Sequence, residues 1–334
     1  MFAPANFAGI TLSRRGAMAA ALVVMLRPSV AADALHLRRL GVLSLGSDAL
    51  SSAVVPDLRD GLSALGWVEG RTLAIEWRTA AGRPGRLESL AQELIGMPCD
   101  VVFASGPGPL EILRRATRAL PIVTVSGSDP VTEGWATRLA RPGGNVTGLT
   151  VTYPEIGPKR LAILREALPM VRRVAVLMAP AEVADWNSIS PLQDAAQRLG
   201  LTIVRLDARQ LGDFERLFAD ALSAGAQAIL TVETPLIAAG RRAVGDLASK
   251  ARLPIAAELF DFGTATLITY GASIRDLLRR AAGHIDRVLR GTAPGEIPIE
   301  RPTVLELAIN LRNARLLGIE IAAPVRARAD RVIE

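Results

Sequence analysis

The sequence predicts an α/β protein built from two similar lobes, each with a parallel β-sheet. Past residue 36, short apolar runs alternate with segments of helical periodicity, which is the pattern of βα units. Four of these apolar runs recur in the same order at a spacing of about 130 residues, so the fold is a repeat rather than one large sheet. The chain has 334 residues, 50% of them hydrophobic, which suffices for two cores.

The first cycle of elements covers residues 39–126. Apolar runs predict its strands, segments with helical periodicity predict its helices, and Gly66 ends the first helix. In order, the predicted elements are strand 39–45, helix 54–65, strand 72–77, helix 86–95, strand 100–104, helix 109–119 and strand 122–126.

The second cycle repeats the first. Residues 171–177 (VRRVAVL) echo residues 37–43 (LRRLGVL), and residues 253–256 (LPIA) echo residues 120–123 (LPIV). The two intervening strands are also matched, by residues 201–206 and 226–232. We therefore expect a second lobe with the same order of elements.

Two segments outside the repeat indicate where the chain passes between the lobes. Residues 141–145 (RPGGN) have the composition of a turn, and a strand at 146–151 leads from it to a helix at 159–167. After the second cycle follow a strand at 266–270, a helix at 273–290 and a strand at 304–310. We expect three crossovers, near residues 145–147, 270–271 and 298–303.

The formal charge of +6, from 39 Lys and Arg against 33 Asp and Glu, does not indicate a polyanionic partner. Half of the excess comes from Arg14, Arg15 and Arg27, in a segment without acidic residues. The high pI reflects arginine, since Lys159 and Lys250 are the only lysines. Charge therefore gives no support to nucleic-acid binding.

Residues 1–32 have the features of an export signal. Ser13-Arg14-Arg15 precede an apolar run at 16–26 that is too short to span a bilayer, and small residues follow to Ala32. We expect cleavage near residues 31–33, and the paired arginines point to the twin-arginine route. The alternative is a short anchoring or surface helix. The lone Cys99 is far from this site, which argues against a lipoprotein anchor, and is expected in the core.

Ligands of parallel α/β sheets lie beyond the carboxyl ends of the strands, where loops and helix N-termini present backbone N–H groups. In the first lobe the loops at these ends consist of small and polar residues. Their serine hydroxyls can hydrogen-bond a carboxylate or another polar group of a ligand, and their glycines let the backbone approach it closely. The candidate residues are Ser44, Gly46, Ser47, Ser105, Gly106, Gly108, Ser126, Gly127 and Asp129. The alternative is that these are ordinary residues of βα turns.

The second lobe offers acidic and aromatic residues at the corresponding ends. An acidic side chain there can pair with a ligand ammonium, and an aromatic ring can cover an apolar side chain. The candidates are Met178, Glu233, Thr234, Glu258 and Phe260, with Tyr270 at the end of the strand entering the second crossover. The alternatives are helix capping or a solvated rim for the two glutamates, and packing at the hinge for the tyrosine.

Residues suited to catalysis, metal binding or nucleotide binding are scarce. The only histidines, His36 and His284, fit neither a triad nor a metal cluster, and the chain has no phosphate-binding Gly-x-x-x-x-Gly-Lys loop. One alternative is an exported α/β enzyme acting on a small carboxylate, with Glu233, Glu258 and Asp129 as its acid and base. A repressor does not fit, because residues 1–36 have no room for a helix-turn-helix. We expect a binding protein without catalytic residue, metal or cofactor.

Several motifs along the mature chain are shared with a known family. The most specific is the stretch Pro142-Gly143-Gly144-Asn145-Val146-Thr147-Gly148. Others are Leu65-Gly66-Trp67-Val68-Glu69-Gly70, Gly127-Ser128-Asp129-Pro130-Val131, Lys159-Arg160-Leu161, Tyr270-Gly271 and Arg301-Pro302-Thr303. In these motifs the chain resembles the exported substrate-binding proteins of ABC transporters, in the group that includes tryptophan-binding and other aromatic amino-acid-binding members.

The resemblance implies a type I periplasmic binding fold, in which two Rossmann-like lobes are joined by a three-crossover hinge. The N-terminal lobe would comprise residues 36–148 and 270–297, and the C-terminal lobe residues 152–267 and 301–334. The resemblance also implies a monomeric periplasmic protein that captures a small organic ligand between the lobes and delivers it to an ABC transporter permease. The leading candidate is an aromatic or branched amino acid or a related carboxylate.

The chain departs from the family pattern at three expected ligand positions. Gly108 stands where threonine is common, residues 178–182 (MAPAE) replace an asparagine-rich loop, and Thr234 replaces an aspartate. The resemblance therefore does not carry the identity of the ligand over to this chain.

Overall fold

The computed structural model describes residues 37–45, 49–127, 129–151, 156–180, 190–232, 234–258 and 263–334. The expected export signal at residues 1–32 lies outside these ranges. Residues Arg38–Glu334 form one compact unit. Across the described ranges, the helices lack the combination of length and hydropathy needed to cross a membrane.

The first sheet has five parallel strands in the order β2-β1-β3-β4-β5. Its strands and the helices between them are β1 (Arg38–Ser44), α1 (Ala49–Ala64), β2 (Leu73–Thr79), α2 (Leu87–Ile95), β3 (Val101–Ser105), α3 (Pro107–Ala116), β4 (Ile122–Ser126) and β5 (Val146–Thr150). Both faces of the sheet are covered: Leu40 and Val42 pack in one core cluster, and Leu43 packs in another. Burial on two faces explains why the strands are continuous apolar runs.

The second sheet has seven strands in the order β12-β11-β10-β9-β8-β6-β7. The chain reaches it through α4 (Ile156–Ala167), followed by β6 (Arg173–Met178), α5 (Ser190–Arg198), β7 (Thr202–Asp207), α6 (Phe214–Ser223), β8 (Ala228–Thr231), α7 (Pro235–Ala251), β9 (Ile255–Ala257) and β10 (Thr266–Ala272). Strands β6 to β10 are parallel. Both faces of this sheet are also buried: Val174 and Val176 pack in one core cluster, and Ala175 and Leu177 pack in another.

The last part of the chain returns to the first sheet before it completes the second. Helix α8 (Ile274–Leu289) packs against α1 and β4, and its residues Leu277, Ala281 and Ile285 share a core with Leu40 and Phe103. The remaining elements are β11 (Leu305–Asn310), α9 (Leu311–Leu317), α10 (Ala323–Ala327) and β12 (Arg331–Ile333). Strand β11 runs antiparallel to β10, so the expectation of a wholly parallel sheet is wrong at this edge.

The chain passes between the two sheets three times, after β5, after β10 and before β11. The first two passages lie later in the chain than predicted. Strand β5 belongs to the first sheet because Gly148, with φ +143°, allows a close approach to β4: a Cβ there would lie 2.0 Å from Thr124 O. Strand β10 stays in the second sheet as far as Ala272, so Tyr270 and Gly271 are strand residues. The predicted lobe boundaries stay predictions.

The third passage is paired with the first along the edge of β5. The N–H of Thr150 donates to Glu300 O at 2.9 Å, and the N–H of Glu300 donates to Gly148 O at 3.0 Å. Two of the three passages are thus joined by backbone hydrogen bonds, like neighbouring strands.

A side-chain cluster on α8 covers this third passage. Arg280 donates hydrogen bonds to the Glu300 carboxylate and, at 3.0 Å, to the Thr303 hydroxyl. We call Arg280, Glu300 and Thr303 the hinge clamp. One turn along α8, His284 is buried, and its two ring nitrogens lie 3.1 Å from the carbonyl oxygens of Arg280 and Pro298. The surroundings of His284 therefore indicate a structural role.

Candidate functional site

A row of serines lies at the carboxyl edge of the first sheet. Ser44, Ser105 and Ser126 end β1, β3 and β4, which are adjacent in the sheet. Ser44 and Ser105 are direct partners in the strand register, and Ser105 is opposite Val125, the residue before Ser126. Because adjacent strands lie about 4.8 Å apart, a ligand head group at this edge can reach more than one serine.

The loop after β3 is shorter than predicted, because α3 begins at Pro107. Gly106 is the N-cap of this helix with φ +96°, a conformation that favours glycine, and its N–H donates to Val125 O at 2.9 Å. Pro107 and Pro109 have no N–H, so Gly108 supplies the backbone donor in the first three positions of the helix. An anion at this helix start therefore meets one N–H group instead of several.

The loop after β4 is organised by Asp129, which is exposed. Its carboxylate accepts hydrogen bonds from the N–H groups of Val131 at 3.1 Å and Thr132 at 2.8 Å. This is the side-chain capping that aspartate commonly gives to a turn. Next to it, Gly127 has its Cβ position 3.5 Å from the Val151 side chain. The structure thus shows a local role for Asp129, and contact of either residue with a ligand stays a prediction.

Two candidates of the second lobe have structural partners. Met178 ends β6, and its side chain is fully buried in a core cluster with Val176. Thr234 is the N-cap of α7, and its hydroxyl accepts a hydrogen bond from the N–H of Ile237 at 3.4 Å. Four further candidates lie outside the described residues, and their roles stay predictions: Gly46, Ser47, Glu233 and Phe260.

Glu258 is the second-lobe candidate with a charged partner. It follows β9 directly, and its carboxylate Oε2 lies 3.5 Å from Nη1 of Arg160 on α4. The Arg160 side chain is 2% exposed, against 17% for Glu258, and Arg160 Nη2 donates to Thr231 O at 2.8 Å. Arg160 was not among the predicted site residues, because an arginine on a helix is ordinarily solvated. The only signal was its place in the Lys159-Arg160-Leu161 motif.

Two opposing effects act on the Glu258 carboxyl. Burial raises its pKa above the ordinary range, and the positive charge of Arg160 together with its hydrogen bond lowers the pKa by less than burial raises it. Glu258 therefore titrates at a higher pH than an exposed glutamate. An acid with this environment is sensitive to any further charge that binds beside it.

Tyr270 lies inside β10, opposite Leu307 of β11, and packs half-buried against the second-sheet core. Burial raises the pKa of its hydroxyl, and the nearby Asp330 carboxylate raises it further. These surroundings agree with the alternative in which Tyr270 is a packing residue. A ligand contact of Tyr270 stays a prediction.

The carboxyl edges of the two sheets differ in chemistry. At the first edge three strands end in serine, and Asp129 lies in the loop after β4; at the second edge the Glu258 carboxylate, paired with Arg160, follows β9. Within the parts of the chain that the structure describes, no group of three or more His, Cys, Asp or Glu side chains is placed to hold a metal ion. This arrangement suits the binding of a small polar molecule.

Two mainly parallel sheets linked by three passages, with polar residues at their carboxyl edges, define a two-lobe α/β binding protein. The chain belongs to the ABC transporter substrate-binding protein family, since the family described as "ABC transporter substrate binding protein" matches residues 42–333. The family resemblance is thereby confirmed, and so is the prediction of a binding protein rather than an exported enzyme.

Known proteins are similar to this chain over most of its length. The "Tyrosine-binding protein" of Clostridioides difficile (strain R20291) is 24% identical over 257 residues, which are 76% of this chain and 73% of that protein. The crystal structure of a conserved domain protein from Vibrio cholerae has 25% identity and a TM-score of 0.76. An ABC domain from Streptococcus pneumoniae in complex with L-Trp has 22% identity and a TM-score of 0.77. Each structure covers 89% of this chain and is itself covered over its full length (100%). These likenesses confirm the predicted two-lobe fold.

Proposed function

We propose that this protein binds an aromatic amino acid at the carboxyl edges of its two sheets. The tyrosine-binding relative and the L-Trp complex of the same fold support the aromatic class. The observation in this chain that carries the proposal is the contrast between the edges: three strand-end serines on one sheet, and the Glu258 carboxylate on the other. An amino acid has a carboxylate for the first edge and an ammonium for the second.

In this proposal Ser44, Ser105 and Ser126 donate hydrogen bonds to the ligand carboxylate, together with the N–H of Gly108. Hydrogen bonds to a charged group are the stronger kind, at about 1.5 to 3 kcal/mol each. Glu258 accepts hydrogen bonds from the ligand ammonium. Phe260 and Tyr270 cover the apolar side chain of the ligand.

Isothermal titration calorimetry of the purified protein tests the ligand class. L-tyrosine and L-tryptophan are compared with L-leucine, and with D-glucose as a ligand that has neither a carboxylate nor an ammonium. We expect saturable heats with the two aromatic amino acids and none with glucose. Binding of leucine with no aromatic binding would reassign the ligand to a branched amino acid, and binding of glucose alone would refute the amino-acid class.

We further infer that the protein acts in the periplasm, as a monomer that delivers its ligand to an ABC transporter permease. The family match and the Ser13-Arg14-Arg15 signal with its apolar run support this location and partner. N-terminal sequencing of protein from the cell envelope is expected to begin near residue 33. A chain that retains Met1 and fractionates with the cytoplasm would contradict export.

A further inference from the structure

Arg160 is a buried cation at the edge of the second sheet. Its side chain is 2% exposed, so its charge must be neutralised within the protein. The guanidinium divides its hydrogen bonds between a backbone oxygen, Thr231 O at 2.8 Å, and the Glu258 carboxylate at 3.5 Å. The carbonyl offers a dipole only, and Glu258 supplies the negative charge.

The position of the pair places it at the proposed ligand site. Thr231 is the last residue of β8, and Glu258 directly follows β9, the neighbouring strand. The guanidinium of Arg160, held by α4, therefore contacts the carboxyl ends of two adjacent strands from one side of the sheet. In parallel α/β sheets this is the edge where ligands bind.

The backbone of Glu258 is fixed from a third element. A Cβ at Gly271 of β10 would lie 2.6 Å from Glu258 O and 2.9 Å from Glu258 Cγ. Helix α4 thus presents a cation to Glu258, the Thr231 carbonyl of β8 accepts a hydrogen bond from that same cation, and the Gly271 backbone of β10 lies against Glu258.

We propose that Arg160 is a positioning residue, which keeps the Glu258 carboxylate negatively charged and in place so that it can bind the ammonium group of the ligand. The inference rests on the proposed function, because it deepens the recognition of an amino acid at the same edge. Arg160 acts through Glu258 and does not itself bind the ligand.

The proposal has a consequence for acid sensitivity. Burial raises the pKa of Glu258 and Arg160 opposes that rise. Without Arg160, its pKa-lowering effect is lost, and Glu258 becomes neutral at a higher pH. As the pH is lowered, a protein without Arg160 must then lose its affinity for an ammonium-bearing ligand at a higher pH than the wild-type protein does.

The experiment compares two ligands that differ in one group, L-tyrosine and 3-(4-hydroxyphenyl)propionate, which lacks the ammonium. In Arg160→Met, calorimetry at neutral pH is expected to show tyrosine affinity lower by about tenfold or more, the cost of losing a charge-assisted contact, with the affinity for the propionate unchanged. The pH at which half of the tyrosine affinity is lost should rise, because the pKa-lowering effect of Arg160 on Glu258 is removed. Arg160→Lys, which retains the charge, should shift this midpoint less.

A second comparison remains valid if Arg160→Met alone does not fold. Glu258→Gln and the double variant Arg160→Met with Glu258→Gln both lack the carboxylate, and the double variant also lacks the unpaired buried cation. We expect equal tyrosine affinities for these two proteins, because Arg160 acts only through Glu258. A further loss in the double variant would overturn the proposal.

The remaining outcomes separate the two proposals. If the wild-type protein binds tyrosine and Arg160→Met weakens tyrosine and the propionate equally, Arg160 is merely structural and this inference fails while the proposed function stands. If the wild-type protein binds neither aromatic ligand, the proposed function fails and this inference fails with it.

Discussion

Arg280 on α8 contacts a single carboxylate oxygen of Glu300 through both Nε and Nη2 of its guanidinium. The pair connects a helix that packs on the first sheet to the segment that leads into β11 of the second. That segment is also paired with β5 through its backbone. The third passage is therefore held on two sides, by the hinge clamp on α8 and by backbone hydrogen bonds to β5.

Removing the clamp should lower stability by a modest amount. For Arg280→Met we expect the free energy of unfolding to fall by about 1 kcal/mol, since the pair is partly exposed and solvent screens it. Urea denaturation measures this change. Arg216→Met is the matched control, because its pair with Asp220 is exposed on one helix and should contribute less. Equal losses in both variants would show that the clamp has no special role.

Gly148 is expected to tolerate no side chain. An added Cβ would lie 2.0 Å from Thr124 O, at a φ of +143° that other residues rarely adopt. Gly148→Ala should therefore destabilise the protein by about 3 kcal/mol or more, visible as a lower Tm in a thermal melt. In Gly144→Ala the new methyl meets open space, and the Tm should stay close to that of the wild type. A wild-type Tm for Gly148→Ala would contradict the pairing of β4 with β5 described above.

Ser126 is the most buried of the three strand-end serines. Ser126→Ala should cost roughly 0.5 to 1.5 kcal/mol of binding free energy for L-tyrosine, and about 1.5 to 3 kcal/mol if its partner is the ligand carboxylate. Calorimetry gives the affinity, and a urea titration shows whether stability has changed as well. Ser89→Ala, at an exposed position of α2, is the control and should leave the affinity unchanged. Unchanged affinity in Ser126→Ala would remove this residue from the site.

The pH dependence of stability should carry a contribution from Glu258. Its pKa is raised in the folded protein, so the folded state holds this proton more tightly than the unfolded state. The contribution of Glu258 to stability is therefore full in acid and is lost as the pH rises through the raised pKa. Under the proposed function we expect tyrosine affinity to have the opposite dependence and to increase over the same interval, because the ligand ammonium needs the ionised carboxylate.

The free energy of unfolding of the wild type minus that of Glu258→Gln isolates this contribution. We expect the difference to fall as the pH rises above the ordinary glutamate range and through the raised pKa of Glu258. Glu88→Gln, at an exposed position of α2, is the control for background changes. A difference that increases with pH would mean that Arg160 outweighs burial at this carboxyl group.

Most strands could be predicted from the sequence, because both faces of each parallel sheet are buried. Residues such as Leu40 and Leu43 point to opposite cores and are both apolar, which makes the strand a continuous run. Strand β12 was not predicted, since Arg331–Ile333 is short and exposed. The direction of β11 was not predictable either, because an apolar run is the same for parallel and antiparallel pairing.

The site was less predictable than the fold. Ser44, Ser105 and Ser126 could be located because each directly follows an apolar run and so must lie at a strand end. Arg160 could not be located in this way, since its burial depends on Glu258 and Thr231, which are distant in the chain. Gly106 was identified, but its φ of +96° and the hydrogen bond of its N–H to Val125 depend on how α3 joins the sheet.

Helix α8 has a consequence for how a newly made chain folds. The core around Leu40 and Phe103 is completed by Leu277 and Ile285, so this face of the first sheet is covered only in part, by α1, while the whole second cycle is synthesised. Contacts this distant along the chain form slowly and cannot form on a growing chain until α8 has emerged. We therefore expect the isolated segment 38–151 to be aggregation-prone, and nascent chains to depend on a chaperone until α8 leaves the ribosome.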